Sequence, residues 1–181
     1  MKLFAATLLG LSLILTAGCS SMSVEDFSEG QPTLVLEDYF VGKTKAWGFF
    51  EDRFGTVQRQ FVVEIQGTWD GNELTLKEDF VYSDGETEIR TWVIKKTGDN
   101  TYSGYTENSV GEAKGELAGN AFHWNYLFNL KVGDDTWKVR FDDWMFLQPD
   151  GVLLNKATVT RWGIELGTVF LSFQKLENDT A

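Results

Sequence analysis

The feature that most constrains this chain is a turn signal that keeps returning. Asp70-Gly71, Asp84-Gly85 and Gly98-Asp99 stand 14 residues apart, and Gly119-Asn120, Gly133-Asp134 and Asp150-Gly151 continue the series. Such pairs between alternating segments mark hairpins, because glycine tolerates the positive φ of a tight turn. This repeat leaves strands of about ten residues, roughly 33 Å, longer than the usual five or six. The intervening segments alternate with period two. Leu74, Leu76, Phe80 and Tyr82 share one face, opposite Glu73, Thr75, Lys77 and Asp79. Phe122, Trp124, Tyr126, Phe128, Leu130 and Val132 share another, opposite His123, Asn125 and Lys131.

The pattern predicts strands over 43–53, 57–68, 73–82, 87–96, 101–108, 112–118, 121–132, 136–147, 152–161 and 164–175, with no helix longer than two turns. Sequential antiparallel strands joined by short turns leave exposed edges if the sheet stays flat, and closure removes them. The expected fold is therefore all-β, an antiparallel up-and-down barrel of eight to ten strands, lipocalin- or calycin-like, over residues 33–175. A transmembrane barrel shares this alternation. The charges on the polar faces argue instead for apolar faces turned inward.

Composition narrows the function classes. The net charge of −11 argues against a nucleic-acid partner. One Cys excludes an internal disulfide, and one His excludes a histidine metal cluster. No phosphate loop, metal-ligand spacing or nucleophile elbow stands out, so no catalytic residue, metal or cofactor is expected.

The chain opens on Met1-Lys2 and an uncharged apolar run from Leu3 to Ala17, the shape of a secretory signal too short for an ordinary membrane span. Leu15-Thr16-Ala17-Gly18-Cys19 resembles a bacterial lipoprotein box, although Thr16 stands where Leu is more usual. That resemblance implies removal of residues 1–18, acylation of Cys19 and membrane anchoring through several acyl chains, each buried CH₂ contributing about 0.8 kcal/mol. Ser20 after the Cys, rather than Asp, implies the outer membrane, facing the periplasm. Residues 19–32 read as the lipidated Cys and a flexible tether, spanning roughly 20 Å. Residues 176–181 read as a polar tail.

Candidate site residues are charges that share parity with aromatic faces. Glu78 aligns with Leu76 and Phe80, Arg90 with Trp92 and Ile94, and Asp143 with Phe141 and Met145. Glu78 and Arg90 lie nearly symmetrically about Asp84-Gly85, so an ion pair between them is expected. Buried charges need partners or shift their pKa until neutral. Arg53, Glu78, Arg90, Asp143 and Arg161 form either a satisfied internal network or the rim of the barrel mouth. Alternatively they orient the polar end of an apolar ligand, an arginine holding a carboxylate bidentately and Trp92, Trp124 and Tyr126 walling its tail. A third reading makes Glu78, Asp142 or Asp143 an acid/base group. Adjacent Asp142 and Asp143 should point to opposite faces, and His123 sits on the polar face. Gly67-Thr68-Trp69 is similar to the lipocalin Gly-x-Trp signature but lies at a strand end, before Asp70-Gly71.

Phe40-Val41-Gly42 and Ala46-Trp47-Gly48-Phe49-Phe50-Glu51-Asp52-Arg53-Phe54-Gly55 resemble the opening of a bacterial lipoprotein family catalogued as domain of unknown function 3833. The resemblance continues through Phe80-Val81-Tyr82-Ser83-Asp84-Gly85, Arg90-Thr91-Trp92, Asp142-Asp143-Trp144-Met145, Asn155-Lys156-Ala157 and Trp162-Gly163-Ile164. It implies a lipid-anchored, lipocalin-like barrel, and no catalytic residues. The expected function is binding of a hydrophobic ligand such as a fatty acid or lipid. The alternatives are an isomerase- or cyclase-like enzyme on a lipid-derived substrate, and a structural or assembly lipoprotein acting through its surface.

Overall fold

A computed structural model describes residues 22–176. The expected signal segment and Cys19 lie outside the described residues, as do residues 177–181 of the polar tail.

Ten antiparallel strands close into one barrel. They are β1 (Gly42–Asp52), β2 (Val57–Trp69), β3 (Glu73–Tyr82), β4 (Thr87–Lys96), β5 (Thr101–Tyr105), β6 (Ala113–Ala118), β7 (Ala121–Val132), β8 (Asp135–Leu147), β9 (Val152–Arg161) and β10 (Ile164–Lys175). Each strand pairs with its sequence neighbour, and β1 pairs with β10 to close the wall. Every turn signal falls between strands. At the β3–β4 turn Gly85 sits at φ 88°, where a side chain would be strained, and Asp84 Oδ1 accepts the Glu86 amide at 3.0 Å.

One strand is shorter than the alternation predicts. β5 stops at Tyr105 rather than 108, because residues 106–112 form a loop. Ser109 Oγ donates to the Thr106 carbonyl at 2.8 Å, and Val110 N–H donates to the Leu127 carbonyl at 2.8 Å. The loop thus covers the edge of β7 in place of strand pairing.

The inward faces carry the core. Val63, Ile65, Leu74, Leu76, Trp92, Ile94, Phe122, Trp124, Leu153 and Phe173 are all buried in one cluster. Burying a side chain of this size contributes about 1.5–3 kcal/mol. One end of the barrel is closed by a short helix, α1 (Leu36–Phe40), whose Leu36 and Phe40 are buried in that cluster. Three side chains clamp it. Lys96 Nζ donates to Glu37 Oε1 at 2.7 Å, and Tyr102 Oη to Glu37 Oε2 at 2.9 Å. Tyr39 Oη lies 3.1 Å from the carbonyls of both Phe173 and Gly151. Gly67, in the sequence signal Gly67-Thr68-Trp69, lies under this plug: a Cβ there would overlap the Phe40 carbonyl oxygen.

The segment expected as a free tether is docked from Val24 onward. A 3₁₀ turn, Val24–Phe27, is capped by Ser23 and buries Val24 against Ala118 and Ala121 on the outer wall. Phe27 rests on Trp144 and Phe146, with ring centroids 6.0 and 5.0 Å apart. The Leu34 amide then donates to the Gly119 carbonyl at 2.9 Å. Two apolar side chains in an otherwise polar stretch provide the contact that composition hides.

Candidate functional site: the barrel interior

Alternation sets which side chains reach the interior. A cavity of about 470 Å³ runs from Leu36 and Phe40 at the plugged end to Gln58, Arg59, Lys131 and Val132 at the other. The last residues lie where β2 begins and β7 ends, so the end opposite α1 is the mouth. Six of the eight expected ligand-site residues line this cavity: Glu78, Arg90, Trp92, Trp124, Tyr126 and Asp143.

Arg53 and Arg161 do not line it. Arg53 lies exposed in the β1–β2 turn, its guanidinium 4.8 Å from the Phe54 ring centroid. Arg161, the last residue of β9, lies between the rings of Trp137 and Trp162, 4.3 and 4.1 Å from their centroids. Both stand at strand ends, where parity no longer forces a side chain inward.

The expected Glu78–Arg90 ion pair is half right. The two residues are direct partners across β3 and β4. The guanidinium, however, turns along its own strand: Arg90 Nε and Nη2 both donate to Glu88 Oε1, at 3.2 and 2.8 Å. Tyr82 Oη donates to Glu88 Oε2 at 2.7 Å. The rings of Phe80 and Phe128 lie 4.7 and 4.9 Å from the guanidinium carbon. The side-on edge that would grip a ligand carboxylate is therefore occupied. Burial pushes the Glu88 carboxyl up, but the Arg90 charge and the hydrogen bonds from Tyr82 and Arg90 outweigh it and hold the group below its ordinary value.

Glu78 and Asp143 are in the opposite situation. Burial pushes Glu78 up to about 7, with the Arg90 charge only partly offsetting it and the Glu88 and Asp143 charges adding to it. Burial likewise pushes Asp143 up to about 7, although Asn155 donates to its Oδ1 at 3.1 Å. Tyr126, also raised by burial, lies beside Asp143. Asp143 Oδ2 and Asn155 Oδ1 are buried without a hydrogen-bond partner. Glu78 accepts no hydrogen bond among the described residues and faces the cavity.

Aromatic rings wall the same space. Trp92 meets Trp124 and Tyr126 edge-on, at 5.7 and 5.0 Å, and Tyr126 stacks on Phe141 at 5.0 Å. Asp142 points outward, where it accepts from Asn125 and Trp144, at 3.0 and 3.1 Å. His123 stacks on Trp144 at 4.3 Å, with Nε2 3.2 Å from Asp142 Oδ1, so neither belongs to the interior. Among the described residues no group of three or more His, Cys, Asp or Glu side chains is placed to hold a metal.

Glu88, Tyr82 and Asn155 were missing from the expected set. Glu88 was readable: it sits two residues before Arg90 and shares its face. Asn155 reaches Asp143 diagonally across β8 and β9, which requires the register to be known. A second depression, about 820 Å³, lies on the outer wall and is lined by Trp47, Phe49, Val62, Val81, Leu154 and Phe170 among others. It is the apolar surface feature that a role acting through the exterior would use.

A family model described as "Protein of unknown function (DUF3833)" matches residues 13–175. No curated protein matches the chain.

Proposed function

The chain belongs to the DUF3833 family, whose description carries no activity, and we propose that its barrel binds a hydrophobic small molecule of the lipid class. The observation that carries this reading is the cavity itself, walled by aromatic and aliphatic side chains, with a few polar groups at mid-depth. Binding sites for small apolar ligands have this composition: a large apolar lining and a small number of placed polar atoms. The rest of the proposal follows from the sequence: acylation at Cys19 anchors the chain to the outer membrane, facing the periplasm.

Native mass spectrometry of the chain, purified from its membrane and released from amphipol, tests the binding. A co-purifying lipid that is lost in Ala157→Phe, which fills the cavity from the wall, supports the reading. A wild-type barrel that carries no adduct after incubation with total lipid extract overturns it. Metabolic labelling with a radioactive fatty acid, lost in Cys19→Ala, tests the anchor.

A second reading draws on Glu78 and Asp143. Two carboxyls raised to about 7 in an apolar cavity are the kind of groups that transfer protons at neutral pH. Mass spectrometry of the lipid extract before and after incubation distinguishes it: turnover lost in Glu78→Gln supports an enzyme, and an unchanged extract overturns one.

A further inference from the structure

Three acceptors inside the barrel wall lack donors. Asp143 and Asn155 are 6 % and 4 % exposed, and Asp143 Oδ2 and Asn155 Oδ1 have no partner. Glu78 beside them accepts no hydrogen bond among the described residues and lines the same cavity. An unmet buried acceptor costs about 1–3 kcal/mol, so a group that donates to it is favoured there. Of the donors nearby, the Tyr126 hydroxyl lies beside Asp143 and serves neither Asn155 Oδ1 nor Glu78, and Arg90 is committed along its side-on edge to Glu88.

We infer that the polar end of the molecule held in this cavity is an uncharged hydroxyl, which donates to the Glu78, Asp143 and Asn155 cluster. The inference rests on the cavity being a ligand site and narrows what that site accepts. Charge decides between the possible head groups. Around the cluster one guanidinium stands against three carboxyls, Glu78, Glu88 and Asp143, and Glu88 already holds that guanidinium. A carboxylate would add a fourth negative group around one guanidinium whose side-on edge and charge are already shared with Glu88. A protonated amine would need Glu78 and Asp143 ionised, and the apolar surroundings that raise both to about 7 oppose this. A hydroxyl requires neither. It donates to an acceptor and accepts from a protonated carboxyl, and its desolvation cost is that of a neutral group. The aromatic wall of Trp92, Trp124 and Tyr126 takes the alkyl chain.

The test compares three ten-carbon probes that differ only in the head group: decanol, decanoate and decylamine. The full chain is held in amphipol at about pH 6, below the value near 7 of both Glu78 and Asp143, and binding is read from the fluorescence of the cavity tryptophans Trp92 and Trp124. Decanol is expected to bind at least tenfold more tightly than either charged probe, and Asn155→Leu to reduce that preference to threefold or less. Should Asn155→Leu fail to fold, Glu78→Leu, on a different strand, is expected to reduce it in the same way. Decanoate or decylamine binding as tightly as decanol overturns the inference while leaving the cavity a ligand site. Failure of all three probes to bind overturns both.

Discussion

Glu78 and Arg90 stand directly opposite each other in the β3–β4 ladder, yet Arg90 gives its hydrogen bonds to Glu88, two residues along its own strand. The Tyr82 hydroxyl fixes the other oxygen of Glu88 at 2.7 Å, so this carboxylate is the one prepared to be charged. Glu78 is left with the field of Arg90 but without its hydrogen bonds.

The first prediction follows from that division. Glu78 and Asp143 have folded-state values near 7, above the 4.5 and 3.8 of the free groups. The folded chain therefore holds protons that the unfolded chain has lost. Stability linked to these groups is full below about pH 4 and falls as pH rises toward 7. Each tenfold difference in proton affinity between the folded and unfolded chain corresponds to about 1.4 kcal/mol. Carboxyls held low, such as Glu88, act below this window and are flat across it. Thermal melts from pH 5 to pH 8 should show a falling midpoint, on the order of 5 °C or more. Asp143→Asn and Glu78→Gln should each flatten the slope. A midpoint constant over this range would refute the protonated pair.

The second concerns Arg90. Its removal leaves the half-buried Glu88 beside Glu78 with only Arg59 as a more distant counter-charge. Arg90→Met should destabilise by about 1–3 kcal/mol, less than the cost of breaking a fully buried pair because Glu88 is partly open to solvent. The double variant Glu88→Gln, Arg90→Met should recover part of that loss. Urea unfolding of the two single variants and the double gives the coupling directly. Additive losses would mean that the pair is not a unit.

The third tests the plug. Gly67→Ala sets a methyl group against the Phe40 carbonyl, so α1 cannot seat as it does. The cost should be about 1–3 kcal/mol, typical of overpacking. Binding of an apolar fluorescent dye should rise with it as the closed end loosens. Gly71→Ala, in the adjoining turn, has open space around it but sits at φ 99° and carries backbone strain of its own, so it is the comparison for dye binding with α1 left in place and not for stability.

The fourth tests the docked N-terminal segment. Phe27→Ala removes the ring that meets Trp144 and Phe146. Limited proteolysis should then cut between residues 22 and 34 several times faster, with the barrel resistant in both proteins. Equal cleavage rates would show that the 3₁₀ turn does not hold this segment.

Most of the barrel was legible because period-two alternation and turn chemistry are local properties. The Asp84-Gly85 pair alone places Glu78 opposite Arg90, and parity alone separates Asp142 from Asp143. What could not be read depends on choices with no local signature. Whether Arg90 turns to Glu78 or to Glu88 is a rotamer decision, set by Tyr82, Phe80 and Phe128 together. The Asn155–Asp143 contact is diagonal and needs the β8–β9 register. Arg53 and Arg161 misled because they end strands, where alternation stops binding a side chain to one face. Val24 and Phe27 misled in the other sense: two apolar residues among Ser, Glu and Asp resemble linker until a wall is found for them.

The described chain starts at Met22 and meets the barrel near Gly119, at the α1 end, while Arg59 and Lys131 rim the far end. Were the chain anchored through an acylated Cys19, as proposed above, it would stand like a cup on its base, its rim turned away from whatever it is fastened to. Cargo would be collected from, and surrendered to, the side remote from the attachment, and any partner that fills or empties it must approach from there.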